Sequence, residues 1–234
     1  MMRILAITLL IALMPTTLLA SGAEFELKPA DVDLRDKAAM QRGAGYFINY
    51  CQGCHSLNFM RLNRVAKDLG IPEDVAKSEM LLGDNKFADP MLSNIPEDQA
   101  EDWFGVAPPD LSLTSRLRGD DWVYNYLISF YKDPTTPSGW NNTVFKNAAM
   151  PHVLANLQGV QVLNHDTNKL ELVSRGTKTD EFDGIAHDIT AFLSYVGEPS
   201  KAKRQFYGIF VMMFLLVFFA LAYALKKDYW RDVH

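Results

Sequence analysis

The chain has 234 residues, a formal net charge of −5 and 48% apolar residues. A mildly acidic chain of this kind argues against a nucleic-acid partner held by basic surface. Its 2 cysteines are too few for a disulfide framework.

The first segment, residues 1–23, has the features of a secretory signal. Arg3 gives the positive start, Ile4 to Leu13 the apolar run, and Ser21-Gly22-Ala23 the small residues for cleavage before Glu24. The run is short for a membrane span, and Met14-Pro15 interrupts it. With a single arginine it lacks the composition of a mitochondrial transit peptide, so bacterial export is expected. About 180 residues follow before the next long apolar stretch, enough for one domain with its own core.

The spacing predicts a helix over Leu34 to Tyr50. Leu34, Ala38, Ala44, Phe47 and Ile48 share one face, and Gly43 and Gly45 leave room for a second helix. Residues 56–102 read as irregular, with short helical pieces punctuated by Pro72, Pro90 and Pro96. Pro108-Pro109-Asp110 opens a new segment in which Asp110 or Ser112 caps a turn. Asp120 is the expected cap of a helix from Asp121 to about Tyr131, with Trp122, Tyr126 and Ser129 along one side. Residues 132–143 have a loop composition. Val160 to Leu163 and Leu170 to Val173 read as a short hairpin around residues 164–168. Asp183 is the expected cap of a helix from Gly184 to Val196, stopped by Gly197 and Pro199. Its apolar face is Ile185, Ile189, Phe192, Leu193 and Val196.

Phe206 to Leu225 is then twenty residues without a charge. As a helix such a run is roughly 30 Å long, the thickness of a bilayer core. Lys201, Lys203 and Arg204 precede it, and Lys226, Lys227 and Arg231 follow it, so the charge bias sets no orientation. The export signal does. It places residues 24–204 on the periplasmic side of the bacterial inner membrane, the span at 205–226 and a cytoplasmic tail at 227–234.

Cys51-Gln52-Gly53-Cys54-His55 is C-x-x-C-H, the attachment signature of c-type haem. Two thiols three residues apart lie about one helical turn apart, matching the two vinyl groups on one side of a haem. His55 then falls under the iron as its proximal ligand. Other readings of the motif fit less well. A structural zinc site needs four ligands, and there is no second cysteine pair. A thioredoxin-type pair needs a βαβ setting that the flanks lack. A local disulfide leaves His55 without a role. For the sixth ligand, Met60, Met80, Met91 and Met150 lie downstream in the exported part. Met150 is the best placed, because it follows a loop and precedes a stiffening Pro151. His152 is its rival.

Four stretches resemble the cytochrome c1 family, the haem subunits of quinol–cytochrome c reductase (the cytochrome bc1 complex). They are Arg42 to Asn58 around the haem motif, Pro108 to Arg118 with Pro-Pro-Asp-Leu-Ser, Ala149-Met150-Pro151, and Ile185 to Arg204 running into the span. The resemblance extends from about Leu34 to Lys227. It implies a mostly α, cytochrome c-like haem domain with insertions and a short β-hairpin, plus one C-terminal transmembrane helix. It also implies one haem c on Cys51 and Cys54, with iron between His55 and Met150. On the same resemblance Pro108 and Pro109 are expected to pack near the haem and Arg118 to hydrogen-bond a propionate. The resemblance further implies that the electron arrives from a Rieske iron–sulfur protein and leaves to a soluble cytochrome c, in a dimeric membrane complex with cytochrome b. The alternative is a tethered cytochrome that feeds a terminal oxidase or reductase directly. Residues 68–102 hold ten acids and two bases. They read either as a solvated insertion or as a docking surface for a basic carrier.

Overall fold

The computed structural model describes residues 27–232, so the expected signal segment lies outside the described residues. The first helix, α1, spans Lys37–Tyr50. It starts later than the spacing predicts because the Asp36 carboxylate accepts from Ala39 N at 3.0 Å and caps it there. The buried face is also rotated. Ala39, Met40, Gly43, Ala44 and Phe47 are buried, whereas Ala38 is exposed.

That face crosses α8, Phe182–Gly197, in the most extensive helix–helix contact of the domain. Gly43 makes the approach possible. A Cβ there would lie 1.9 Å from the Asp188 carbonyl oxygen and 2.9 Å from Phe192 Cβ. Gly45 plays no such part, because a Cβ there would meet nothing within 4 Å. Phe47 and Phe192 pack with ring centroids 5.5 Å apart. Beside them Arg42 makes a two-pronged ion pair with buried Asp188, at 2.6 and 2.8 Å. The predicted apolar face of α8, Ile185, Ile189, Phe192, Leu193 and Val196, is buried throughout.

The middle of the chain carries short elements. β1 (Leu57–Arg61) pairs antiparallel with β2 (Pro90–Met91). Between them lie α2 (Leu62–Leu69) and α3 (Glu73–Glu79), and α4 (Glu97–Phe104) follows. Pro72 and Pro96 occupy the N-cap positions of α3 and α4, where a missing N–H costs no helical bond. α5 (Thr114–Arg118) and α6 (Asp120–Ile128) pack on α8.

Asp120 does not cap α6 with its side chain. Its carboxylate accepts from Ser115 Oγ and Ser194 Oγ and lies 3.8 Å from Lys201 Nζ, tying α5, α6 and α8 to the start of the last helix. Asp183 likewise caps nothing. A 3₁₀ turn, Thr179–Glu181, leads directly into α8, and Asp183 lies within its first turn, where the helix dipole favours an acid.

Helix α6 ends before the predicted Tyr131, because Phe130–Lys132 is a strand, β3, paired with β4 at Trp140–Asn142. The segment with a loop composition is thus a hairpin whose turn is built by Asp133. Its carboxylate accepts from Thr135 N at 3.0 Å, Thr135 Oγ1 at 2.6 Å and Asn141 Nδ2 at 2.9 Å. A single turn of helix, α7 (Ala155–Gln158), precedes the predicted later hairpin. That hairpin is longer than its apolar core, with β5 at Gly159–Asn164 and β6 at Lys169–Arg175.

The chain ends in α9, Lys201–Tyr229, a continuous helix without a buried residue. Its apolar run is long enough to cross a membrane. So large an exposed apolar surface needs lipid or partner helices to cover it.

Candidate haem site

The C-x-x-C-H motif is the turn that closes α1. Cys51 N and Gln52 N donate back to Phe47 O, and Cys54 N and His55 N both donate to Cys51 O, at 3.0 and 2.8 Å. This turn brings the two thiols and the imidazole to one end of the helix. The segment after β2 holds it in place. Ser93 Oγ donates to Gly53 O at 2.9 Å, Ser93 N to Ser56 Oγ at 2.9 Å, and buried Gln52 donates to Leu92 O at 3.3 Å. Cys51 is buried and Cys54 half-buried, and the two are not bridged. Burial pushes the Cys51 thiol up to about 12. Such a thiol stays uncharged, as does the thioether that replaces it when a vinyl group is attached.

His55 Nδ1 lies 2.8 Å from the Pro109 carbonyl oxygen. A carbonyl only accepts, so Nδ1 carries the proton and Nε2 keeps a free lone pair. Burial pushes this imidazole below its ordinary value, partly offset by the Pro109 contact and the Asp110 charge, so the ring is neutral at pH 7. The Pro-Pro-Asp-Leu-Ser segment is laced to the chain beyond the motif. Asn58 N donates to Asp110 Oδ2 at 2.7 Å, Leu111 N to Ser56 O at 3.0 Å and Phe59 N to Ser112 Oγ at 3.1 Å. Asp110 also takes Ser112 N at 2.9 Å, the turn cap expected from the sequence. Pro109 therefore has a defined place, as the acceptor that orients His55. Pro108 is half-buried beside it.

Met150 stands against a different wall. Arg118, Trp122, Tyr126 and Phe130 follow at intervals of four residues and form a ladder from the end of α5 along α6 and into β3. The Arg118 guanidinium lies over the Trp122 ring at 5.1 Å. Trp122 stacks on Tyr126 at 5.1 Å and 9°, and Tyr126 meets Phe130 edge-on at 5.0 Å. The Tyr126 hydroxyl donates to Met150 Sδ at 3.6 Å. Desolvation pushes that hydroxyl up to about 12, so it stays protonated. The loop that delivers Met150 is shaped by asparagines. Asn142 Oδ1 accepts from Val144 N and Phe145 N, Asn141 Oδ1 accepts from Asn147 N, and Asn147 has φ 59.

His152 is turned into an aromatic box. It stacks on Phe130 at 5.0 Å and 5°, with Trp140 and Phe182 edge-on. Among the described residues its Nε2 and Gln158 Oε1 have no hydrogen-bond partner. Burial pushes the imidazole down to about 4 against an opposing effect of Gln158.

The residues fit a c-type haem: two thiols on one turn, an imidazole in the tautomer that presents Nε2, and a thioether held by a hydroxyl. No group of three or more His, Cys, Asp or Glu able to hold a bare metal ion occurs among the described residues. Sequence reasoning did not anticipate Tyr126 as the partner of Met150, nor Ser93 and Gln52 as props of the motif. The four-residue spacing of Arg118, Trp122, Tyr126 and Phe130 was the available signal for the first. No local pattern marks the second.

A single-haem domain of this kind, carried on one apolar C-terminal helix, defines a membrane-anchored c-type cytochrome. The model of the Cytochrome C1 family matches residues 31–233. Cytochrome c1 of Allochromatium vinosum is 48% identical over 244 residues, covering 100% of both chains. A Nitrosomonas europaea protein named ammonia monooxygenase gamma subunit is 45% identical over 100% of this chain and 99% of its own length. Cytochrome c1 of Rhodospirillum rubrum is 28% identical over 85% of this chain and 83% of its own. The chain belongs to the cytochrome c1 family, the electron-carrying haem subunits of quinol–cytochrome c reductase. It carries haem c on Cys51 and Cys54 and is anchored to a membrane by α9.

Proposed function

We propose that this chain receives one electron at a time from a Rieske iron–sulfur protein and passes it to a soluble cytochrome c on the periplasmic side of a bacterial inner membrane. It works beside cytochrome b, in a complex that is dimeric. His55 through Nε2 and Met150 through Sδ would hold the haem iron, and Arg118 would bind a propionate in addition to stacking on Trp122. When bound, haem c supplies the one-electron ferric–ferrous couple.

The protein's own part is to hold that couple with little reorganisation. The Pro109 carbonyl fixes the tautomer and ring plane of His55. The α6 ladder and the asparagine loop fix Met150. Thioether ligation favours the ferrous state relative to bis-imidazole ligation and suits a high-potential carrier.

The observation that carries the reading is the hydrogen bond between His55 and Pro109, because it joins the haem turn to the Pro-Pro-Asp-Leu-Ser segment. The test is purification of the complex from native membranes. Cytochrome b and a Rieske protein should accompany the chain, and Met150→Ala should open the ferrous iron to rapid carbon monoxide binding. Absence of both companions would overturn the assignment of partners.

The Nitrosomonas europaea relative is named as a monooxygenase subunit, and a second reading is that this chain delivers electrons directly to an oxidase or reductase. Co-purification with such an enzyme in place of cytochrome b would establish it.

A further inference from the structure

We infer that Tyr126 tunes the electron affinity of the haem by donating a hydrogen bond to the Met150 lone pair that iron does not use. The inference rests on Met150 ligation as proposed above. A thioether sulfur has two lone pairs. One can go to iron, and the Tyr126 hydroxyl addresses the sulfur at 3.6 Å.

Three contacts hold this donor in position. Trp122 lies flat on the Tyr126 ring, Phe130 closes its edge, and Asn142 Nδ2 donates to the Tyr126 backbone carbonyl at 2.8 Å. The acceptor loop is held from the same ladder, because Phe130 also stacks on His152, two residues beyond Met150. Donor and acceptor therefore belong to one packed unit, although 24 residues separate them in sequence.

The direction of the effect follows from charge. A hydrogen bond withdraws electron density from sulfur and weakens its donation to iron. Ferric iron depends more on that donation than ferrous iron does, so the bond favours the reduced state and raises the midpoint potential. Tyr126 touches the ligand and not the iron, so it acts as a positioning and tuning residue.

The test uses the full-length haem-loaded chain within its membrane complex. Tyr126→Phe keeps the ring contacts and removes only the hydroxyl. It should shift the ferric–ferrous equilibrium three- to tenfold towards ferric, a midpoint lower by about 30–60 mV for one electron. The weak sulfur-to-ferric-iron charge-transfer band should persist but move. A fluorinated tyrosine placed at 126 has a more acidic hydroxyl, a stronger donor, and should raise the midpoint instead.

If neither replacement moves the midpoint while the band shows sulfur still bound, the inference is overturned and Met150 ligation stands. If Met150→Ala leaves band and midpoint intact, the sixth ligand lies elsewhere and both readings fall.

Discussion

Two glycines two residues apart in α1 should respond to the same substitution with opposite signs. Gly43 and Gly45 both lie within Lys37–Tyr50, so alanine gains helix propensity at each, about 1 kcal/mol. At Gly43 the added methyl would sit 1.9 Å from Asp188 O, 2.6 Å from Asp188 C and 2.9 Å from Phe192 Cβ. Two of those atoms belong to the backbone of α8 and cannot swing away, so the helices must separate. Forcing a methyl into a packed core costs about 3 kcal/mol at the upper end of the usual range, leaving a net loss of roughly 2 kcal/mol for Gly43→Ala. For a domain of this size that is a thermal midpoint lower by about 4–8 °C. Gly45→Ala meets nothing within 4 Å and should raise the midpoint by about 2–4 °C. The thermal change in the haem absorption spectrum, followed on the detergent-solubilised holoprotein, reads both. Equal shifts in one direction would refute the argument that Gly43 alone admits the α1–α8 contact.

Two further outcomes follow from side chains around the site. His152→Phe replaces an imidazole with an unpartnered buried nitrogen by a ring suited to the Phe130, Trp140 and Phe182 box. Stability should stay within about 1 kcal/mol, and the ferrous spectrum should not change. A spectrum converted to an open-site form would instead make His152 the iron ligand. At the β3–β4 turn, the Thr135 hydroxyl, then the Asn141 amide and the Thr135 N–H, hold the Asp133 carboxyl below its ordinary value of 3.8. The folded state therefore favours the charged form. Its contribution is complete above the ordinary value and is lost as pH falls through the lowered one. The protection factors of the Thr135 and Gly139 amides should fall with acid over that window, and Asp133→Asn should abolish that fall. Protection that stays flat in the unaltered protein would count against the carboxylate as the organiser of the turn.

What could be read from the sequence, and what could not, divides by the distance over which each feature is determined. C-x-x-C-H is a local arrangement, and the hydrogen bonds from Cys54 N and His55 N to Cys51 O close its turn within the motif. Apolar periodicity was enough for α8 because nearly all of that helix is buried, so no error of phase was available. For α1, buried on one side only, periodicity found the helix but placed Ala38 inward, because the contact with Asp188 and Phe192 at Gly43 decides which way the helix is turned. The cap assigned to Asp120 failed for a similar reason. A side chain that can cap can also bind Ser194 and Lys201 across the fold, and Asp120 does so. The β3–β4 hairpin was hidden because its strands are three residues long and its register comes from Asp133 side-chain bonds, with no apolar alternation to report it. Met150 lies at this same limit. The residues flanking it identify a loop, but the hydroxyl that meets its sulfur comes from α6, through a ladder whose four-residue interval is visible and whose target is not. The motif therefore reveals which cofactor the chain carries. On the proposed Met150 ligation, how strongly the iron would hold its electron depends also on Tyr126, whose hydroxyl only the fold brings to that sulfur.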